Sequence, residues 1–167
     1  MQNASIITES GDQYLAITYQ KNIEATDVNI QIEISNDLEI WKFSHDSGMR
    51  VIYMEEFYEM GVKAVIGEIH RVIGQGPCYL TFDVDGLDPV YAPGTGTPEV
   101  GGFTTVEAQL MIRGTRGLNL IGGDVVEVAP PFDPSGTTAL TGATMMFEIL
   151  CVVADAVAAR RHSGPAS

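Results

Sequence analysis

The rhythm of apolar and polar positions changes between residues 44 and 50. Before that point its period is two. YLAITYQ (Tyr14–Gln20) alternates, and VNIQIEIS (Val28–Ser35) alternates strictly. Val28, Ile30, Ile32 and Ile34 share one face, and Asn29, Gln31, Glu33 and Ser35 the other. Successive side chains on a strand point to opposite faces, so the pattern predicts half-buried antiparallel strands. Residues 1–47 read as a β-rich hairpin or meander.

From residue 48 short apolar runs alternate with stretches of helical spacing. MRVIYM (Met49–Met54) reads as a buried strand. In EEFYEMGVKAVIGEIHRVIG, Tyr58, Val62, Val65, Ile69 and Val72 recur at helical spacing behind an acidic start at Glu55 and Glu56. That predicts one helix, with Gly61 and Gly67 as weak points. CYLTFDVD (Cys78–Asp85) is the next strand, and a Gly/Pro loop runs to Gly102. TTVEAQLMIRGT predicts a helix capped by Thr104 or Thr105, with Glu107 in its first turn. LNLIGGDVVEV (Leu118–Val128) predicts a strand. The final helix starts near TTALTG and ends on Arg160 and Arg161, where cations suit its C-terminus.

The β-α-β-α-β-α order predicts a parallel sheet with right-handed crossovers, covered on both faces. The fold class is therefore α/β with an N-terminal antiparallel β addition. The expected organisation is residues 1–47, residues 48–163 and a tail at 164–167.

The 167 residues carry a net charge of −13 and are 45% hydrophobic. So acidic a chain disfavours nucleic acid and anionic membranes as partners and suits small cations. Cys78 and Cys151 sit in apolar runs without CxxC spacing, which fits core thiols in a reducing compartment. MQNASIITESGD lacks the basic start and apolar core of a signal peptide, so the expected location is cytoplasmic. No run of about 18 uninterrupted apolar residues predicts a membrane span.

The chemistry concentrates in TFDVDGLDPVYAPGTGTPE (Thr81–Glu99). If the strand runs to Asp85, Asp83 and Asp85 face the same way at its C-terminal end. That edge of a parallel sheet is where ligands bind. Two carboxylates held together repel, and they need a cation or a shared proton. Two hard oxygen donors suit Mn2+ or Mg2+. The same spacing also suits one aspartate capping the loop and the other in water. Asp88, before Pro89, reads as a turn residue. Glu127 ends the later strand, and if the two strands are neighbours it shares the edge. There it could hold a guanidinium or ammonium by charge-assisted hydrogen bonds, or simply face solvent. His45-Asp46 is the one His/Asp pair, without the spacing of a multi-ligand site.

GMRVIYMEEFYEMG, FDVDGLDPVYAPGTGTPEVGG and GGDVVEVAPPFDPSGTTALTGATMMFE closely resemble the C-terminal half of the ureohydrolase (arginase/agmatinase) family. The wording is nearer agmatinases and guanidinobutyrases than arginases. The resemblance implies part of a three-layer α/β fold around a parallel sheet. It also implies hydrolysis of a guanidino compound, agmatine or 4-guanidinobutyrate, to urea and an amine. In that family two Mn2+ ions share a bridging hydroxide. Asp83 matches the bridging carboxylate, Asp85 a ligand of one metal, and Glu127 the carboxylate that positions the guanidinium. The family's first half carries a GGxH-type histidine and a DxHxD motif, and this sequence has neither. The expectation is therefore an incomplete Mn2+ site and little activity from a lone chain. The expected partners are a small guanidino substrate and either further copies of the chain or a complementing one. The alternative expectation is a non-catalytic scaffold or partner-binding module derived from such an enzyme.

Overall fold

The computed structural model describes residues 2–9, 12–19 and 50–162. The expected strand Val28–Ser35, the pair His45-Asp46 and the tail 164–167 lie outside the described residues. The described residues belong to two compact units.

In the first unit, β1 (Gln2–Glu9) and β2 (Asp12–Tyr19) pair antiparallel, from Gln2 opposite Tyr19 to Glu9 opposite Asp12. β2 is the alternating run read from the sequence. Its partner, QNASIITE, is rich in polar residues and showed no alternation to mark it.

The second unit holds α1 (Met54–Met60), α2 (Val62–Ile73), β3 (Pro77–Asp83), α3 (Thr105–Gly114), β4 (Asn119–Val126) and α4 (Thr137–His162). Residues 50–53 are irregular where a strand was expected, and Met54 already opens α1. A strand needs a neighbour for its backbone N–H and C=O groups. Among the described residues β3 and β4 pair only with each other. The acidic pair Glu55-Glu56 instead occupies the first turn of a helix, where negative charge is favoured.

The expected single helix is also two. Gly61 has φ +75°, a backbone conformation that glycine tolerates and other residues resist. Its N–H donates to the Phe57 carbonyl at 2.8 Å, closing α1, and α2 starts at the next residue. Gly67 is tolerated inside α2. Phe57 is buried and meets the Phe103 ring edge-on at 4.7 Å between centroids, fixing α1 to the loop before α3.

α2 crosses close to the end of α3. A Cβ on Gly114 would lie 2.5 Å from Ile66 Cδ1, so a side chain there would push the helices apart. His70 Nε2 hydrogen-bonds the Gly114 carbonyl oxygen at 2.7 Å. That is a structural tie between helices. α3 opens with Thr104 in a full capping box, its Oγ1 accepting from Glu107 N–H while the Glu107 carboxylate accepts from Thr104 N–H.

β3 and β4 run parallel, with Asp83 opposite Val126 and a register shift at Cys78/Tyr79. Burial alternates along β3. Leu80 and Phe82 face the core with Leu120, Met145 and Ile149, while Tyr79 on the other face is 58% exposed. Cover on both faces was expected, but among the described residues the helices pack one face. Each fully buried side chain in this layer stabilises the fold by roughly 1.5–3 kcal/mol.

α4 presents Thr138, Gly142, Met145, Ile149, Val152 and Ala156 inward at steps of three and four. This stripe packs on β4 and α3. Arg113 to Glu148 (Nε to Oε2, 2.8 Å) and Arg116 to Asp155 (2.7 Å) add ion pairs along the flank. Among the described residues α4 is the one helix long and apolar enough to cross a membrane by length and composition. No uninterrupted apolar run signals this. Its buried stripe makes it the core helix of the sheet, and Leu140, Phe147 and Leu150 are exposed on its other side.

Candidate functional site

The site forms where β3 and β4 end together. β3 stops at Asp83, and Val84–Gly86 form a single 3-10 turn. The expectation that Asp83 and Asp85 share a strand face is therefore corrected, because Asp85 is not on the strand. The cause is local. Asp83 Oδ1 accepts the backbone N–H of Asp85 at 2.8 Å and bends the chain into the turn. The two carboxylates stay close through the cap rather than through strand periodicity.

Glu127 is the first residue after β4, directly beyond Val126, the partner of Asp83. It is the one non-glycine residue with positive φ, at 65°, among the described residues. That conformation is unfavourable for a residue with a Cβ. It ends the strand and puts Glu127 at the same sheet edge as the aspartates.

The electrostatics show the three acids acting on one another. Partial loss of water pushes the Asp83 carboxyl above the ordinary aspartate range. The Asp85 N–H hydrogen bond opposes this, and the negative charges of Asp85 and Glu127 add to it. Asp85 Oδ2 accepts a hydrogen bond from Thr97 Oγ1. Asp85 Oδ1 is buried and has no hydrogen-bond partner among the described residues. A charged oxygen without a donor is costly to bury, so this atom is suited to a cation.

The loop that carries Thr97 is tightly held. Asp88 accepts from Val90 N–H at 3.0 Å and from Gly101 N–H at 2.9 Å, which holds its carboxyl below the ordinary range. The turn role read for Asp88 matches these bonds. Phe103 N–H donates to the Gly86 carbonyl at 2.9 Å, and Asp88 N–H to the Phe103 carbonyl at 3.0 Å. Gly94 N–H donates to Thr138 Oγ1 at 2.7 Å, and Ala129 N–H to the Gly94 carbonyl at 2.8 Å. A Cβ on Gly94 would meet Asp133 Cβ at 2.3 Å, so only glycine allows this approach. Asp133 in turn caps α4 by accepting from Ala139 N–H at 2.9 Å.

Sequence reasoning passed over two residues here. Thr97 lies in the loop read as part of the site, but nothing in GTGTPE distinguishes it from Thr95, which is buried away from Asp85's carboxylate contacts. Asp124 was set aside because it points away from Glu127. Its Oδ2 accepts from the Tyr79 hydroxyl at 3.2 Å, while its Oδ1 is buried without a partner among the described residues. Among the described residues no group of three or more His, Cys, Asp or Glu side chains converges on a metal position. Asp83 and Asp85 thus fit as part of a cation site made of hard oxygen donors.

Comparison with known proteins adds three findings. The sequence profile of the arginase family matches residues 14–152. A guanidinopropionase of Pseudomonas aeruginosa is 61% identical over 116 residues, 70% of this chain and 36% of that protein. A guanidinobutyrase of the same organism is 49% identical over 115 residues, 69% of this chain and 36% of that protein. The solved structure of a proclavaminate amidino hydrolase from Streptomyces clavuligerus superposes with a TM-score of 0.67 at 36% identity, covering 69% of this chain and 38% of that one. The chain spans 36% of the length of the curated relatives first matched.

Proposed function

The chain belongs to the arginase family, and on that premise we propose that it serves Mn2+-assisted hydrolysis of a small guanidino compound to urea and an amine. The observation that carries this reading is the clustering of Asp83, Asp85 and Glu127 at one sheet edge, with a buried Asp85 oxygen lacking a donor. In this reaction water adds to the guanidinium carbon and the bond from that carbon to the alkyl-bearing nitrogen breaks.

Asp83 and Asp85 would hold Mn2+ through carboxylate oxygens. When bound, the metal supplies Lewis-acid activation of a water. Glu127, exposed at the edge, pairs its carboxylate with the planar guanidinium and fixes the orientation of the reacting carbon. Its left-handed backbone turns the side chain out of the strand register, where the substrate enters. The Gly94–Thr97 loop holds the Asp85 wall of the site.

The substrate class is a short guanidino acid or amine. The names of the two bacterial relatives favour 3-guanidinopropionate and 4-guanidinobutyrate, and the motif wording adds agmatine. Two carboxylates fill few of the six positions Mn2+ takes in oxygen sites, so we propose that the chain completes its site by association with a further chain and releases little urea alone.

Titration calorimetry of the Mn2+-treated chain with each guanidino compound tests this reading, with urea release measured in parallel. Weak binding that Glu127→Gln abolishes supports it. Binding unchanged by Glu127→Gln overturns the assignment. A second reading, a non-catalytic scaffold, draws on exposed Tyr79 and Ile121 on the uncovered sheet side. It predicts no guanidino binding and no retained metal.

A further inference from the structure

Every protein contact of the Asp85 carboxylate recorded in the structure falls on one oxygen. Oδ2 takes the Thr97 hydroxyl proton, and Oδ1 is buried with no partner among the described residues. A hydroxyl has one proton to give, so the Thr97 bond to Oδ2 leaves Oδ1 unassigned.

Thr97 is itself placed by a chain of contacts that begins at α4. Thr138 Oγ1 accepts Gly94 N–H at 2.7 Å, and Gly94 fits against Asp133 because it lacks a Cβ. Asp88 ties both ends of the intervening loop, through Val90 N–H and Gly101 N–H. The Asp85 main chain is fixed separately, by its N–H bond to Asp83 Oδ1 at 2.8 Å. Main chain and one carboxylate oxygen are therefore both restrained, and the second oxygen is oriented as a consequence.

We propose that Thr97 is a positioning residue, whose hydroxyl holds Asp85 by Oδ2 and presents Oδ1 alone to a divalent cation. The inference rests on the reading of Asp85 as a cation ligand. Outer hydrogen bonds of this kind fix the orientation of a ligating carboxylate and tune its affinity. Losing the hydroxyl frees the carboxylate to rotate and removes the bias toward binding through one oxygen. Thr97 is exposed and lies outside the core cluster, so replacing it leaves the packing intact.

The test is a Mn2+ titration of the full chain, with free Mn2+ followed by electron paramagnetic resonance, on the parent and on Thr97→Val, Thr97→Ala and Thr97→Ser. Circular dichroism checks the fold of each. Thr97→Val and Thr97→Ala are expected to bind Mn2+ roughly tenfold or more weakly. Thr97→Ser, which keeps the hydroxyl, is expected to stay within about twofold of the parent, where a merely structural role for the threonine would not give rescue. Val and Ala variants that bind like the parent overturn the positioning role and leave the metal reading standing. A Ser variant as weak as Val also overturns it. A parent chain that binds no Mn2+ overturns both.

Discussion

The carboxylate of Asp83 caps the turn that carries Asp85: Asp83 Oδ1 accepts Asp85 N–H at 2.8 Å. One aspartate thus does two jobs. It offers a charge to a ligand, and it sets the backbone that presents the second charge.

The two jobs separate by substitution. Asp83→Asn keeps a side-chain acceptor for the Asp85 N–H and removes the repulsion from Asp85 and Glu127. Asp83→Ala removes both. Without cations at neutral pH, Asp83→Asn is expected to melt above the parent. Asp83→Ala should fall below Asp83→Asn by about 1 kcal/mol, the usual worth of a cap. The sign with pH follows from the raised Asp83 carboxyl. The folded chain holds this proton more tightly than the unfolded chain, so the parent loses stability as pH rises through the range above the ordinary aspartate value. The advantage of Asp83→Asn should shrink as pH falls below that range. Thermal melts in chelator across pH check both.

Glu127 at φ 65° places a side chain where glycine is favoured. Glu127→Gly is expected to be more stable than Glu127→Ala by about 1 kcal/mol, because only the glycine relieves the left-handed strain. Urea denaturation of the two variants measures the difference. Equal stability would mean the strain is absent in solution.

The contact between Gly94 and Asp133 leaves no room for a methyl group. Gly94→Ala should cost about 1–3 kcal/mol through forced displacement. Thr138→Val should cost a similar amount, about 1–3 kcal/mol, by leaving the buried Gly94 N–H without its acceptor. Both losses are read from denaturant midpoints. Both variants should also weaken Mn2+ binding, since the loop leads to Thr97.

Glu68 meets two guanidinium groups, Arg71 Nε at 2.7 Å and Arg50 Nε at 3.0 Å. Their hydrogen bonds hold its carboxyl down at about 2. A lowered carboxyl contributes stability that is present above the ordinary glutamate value and is lost as pH falls toward 2. The gap in melting temperature between the parent and Glu68→Gln should therefore close over that acid range. It should also narrow in high salt, because the group is exposed to screening.

The sequence made some of this architecture legible and hid the rest for physical reasons. Thr104 and Glu107 announce the start of α3 because a capping box is local chemistry. The 3.6-residue pattern marks α4 in the same way. Met49–Met54 misled because a strand requires a neighbour, and an apolar run does not say whether one exists. Gly61 divided a helix whose apolar spacing runs straight through the break, since periodicity does not register a positive φ. The acidic site was found for a partly wrong reason. Asp83 and Asp85 are near each other through a cap and a 3-10 turn, not through shared strand facing. Glu127 was placed correctly at the edge, because the parallel neighbours end together at Asp83 and Val126. Thr97 could not be singled out, since its contact with Asp85 spans a loop whose path depends on Gly94, Asp133 and Thr138.

The central claim is that Asp83 and Asp85 form a cation-binding edge. Equilibrium Mn2+ binding to the full chain, compared with Asp83→Asn and Asp85→Asn, tests it most directly. The account predicts measurable binding by the parent that each substitution reduces by roughly tenfold or more, with the fold retained. Binding that is the same in all three proteins would contradict it.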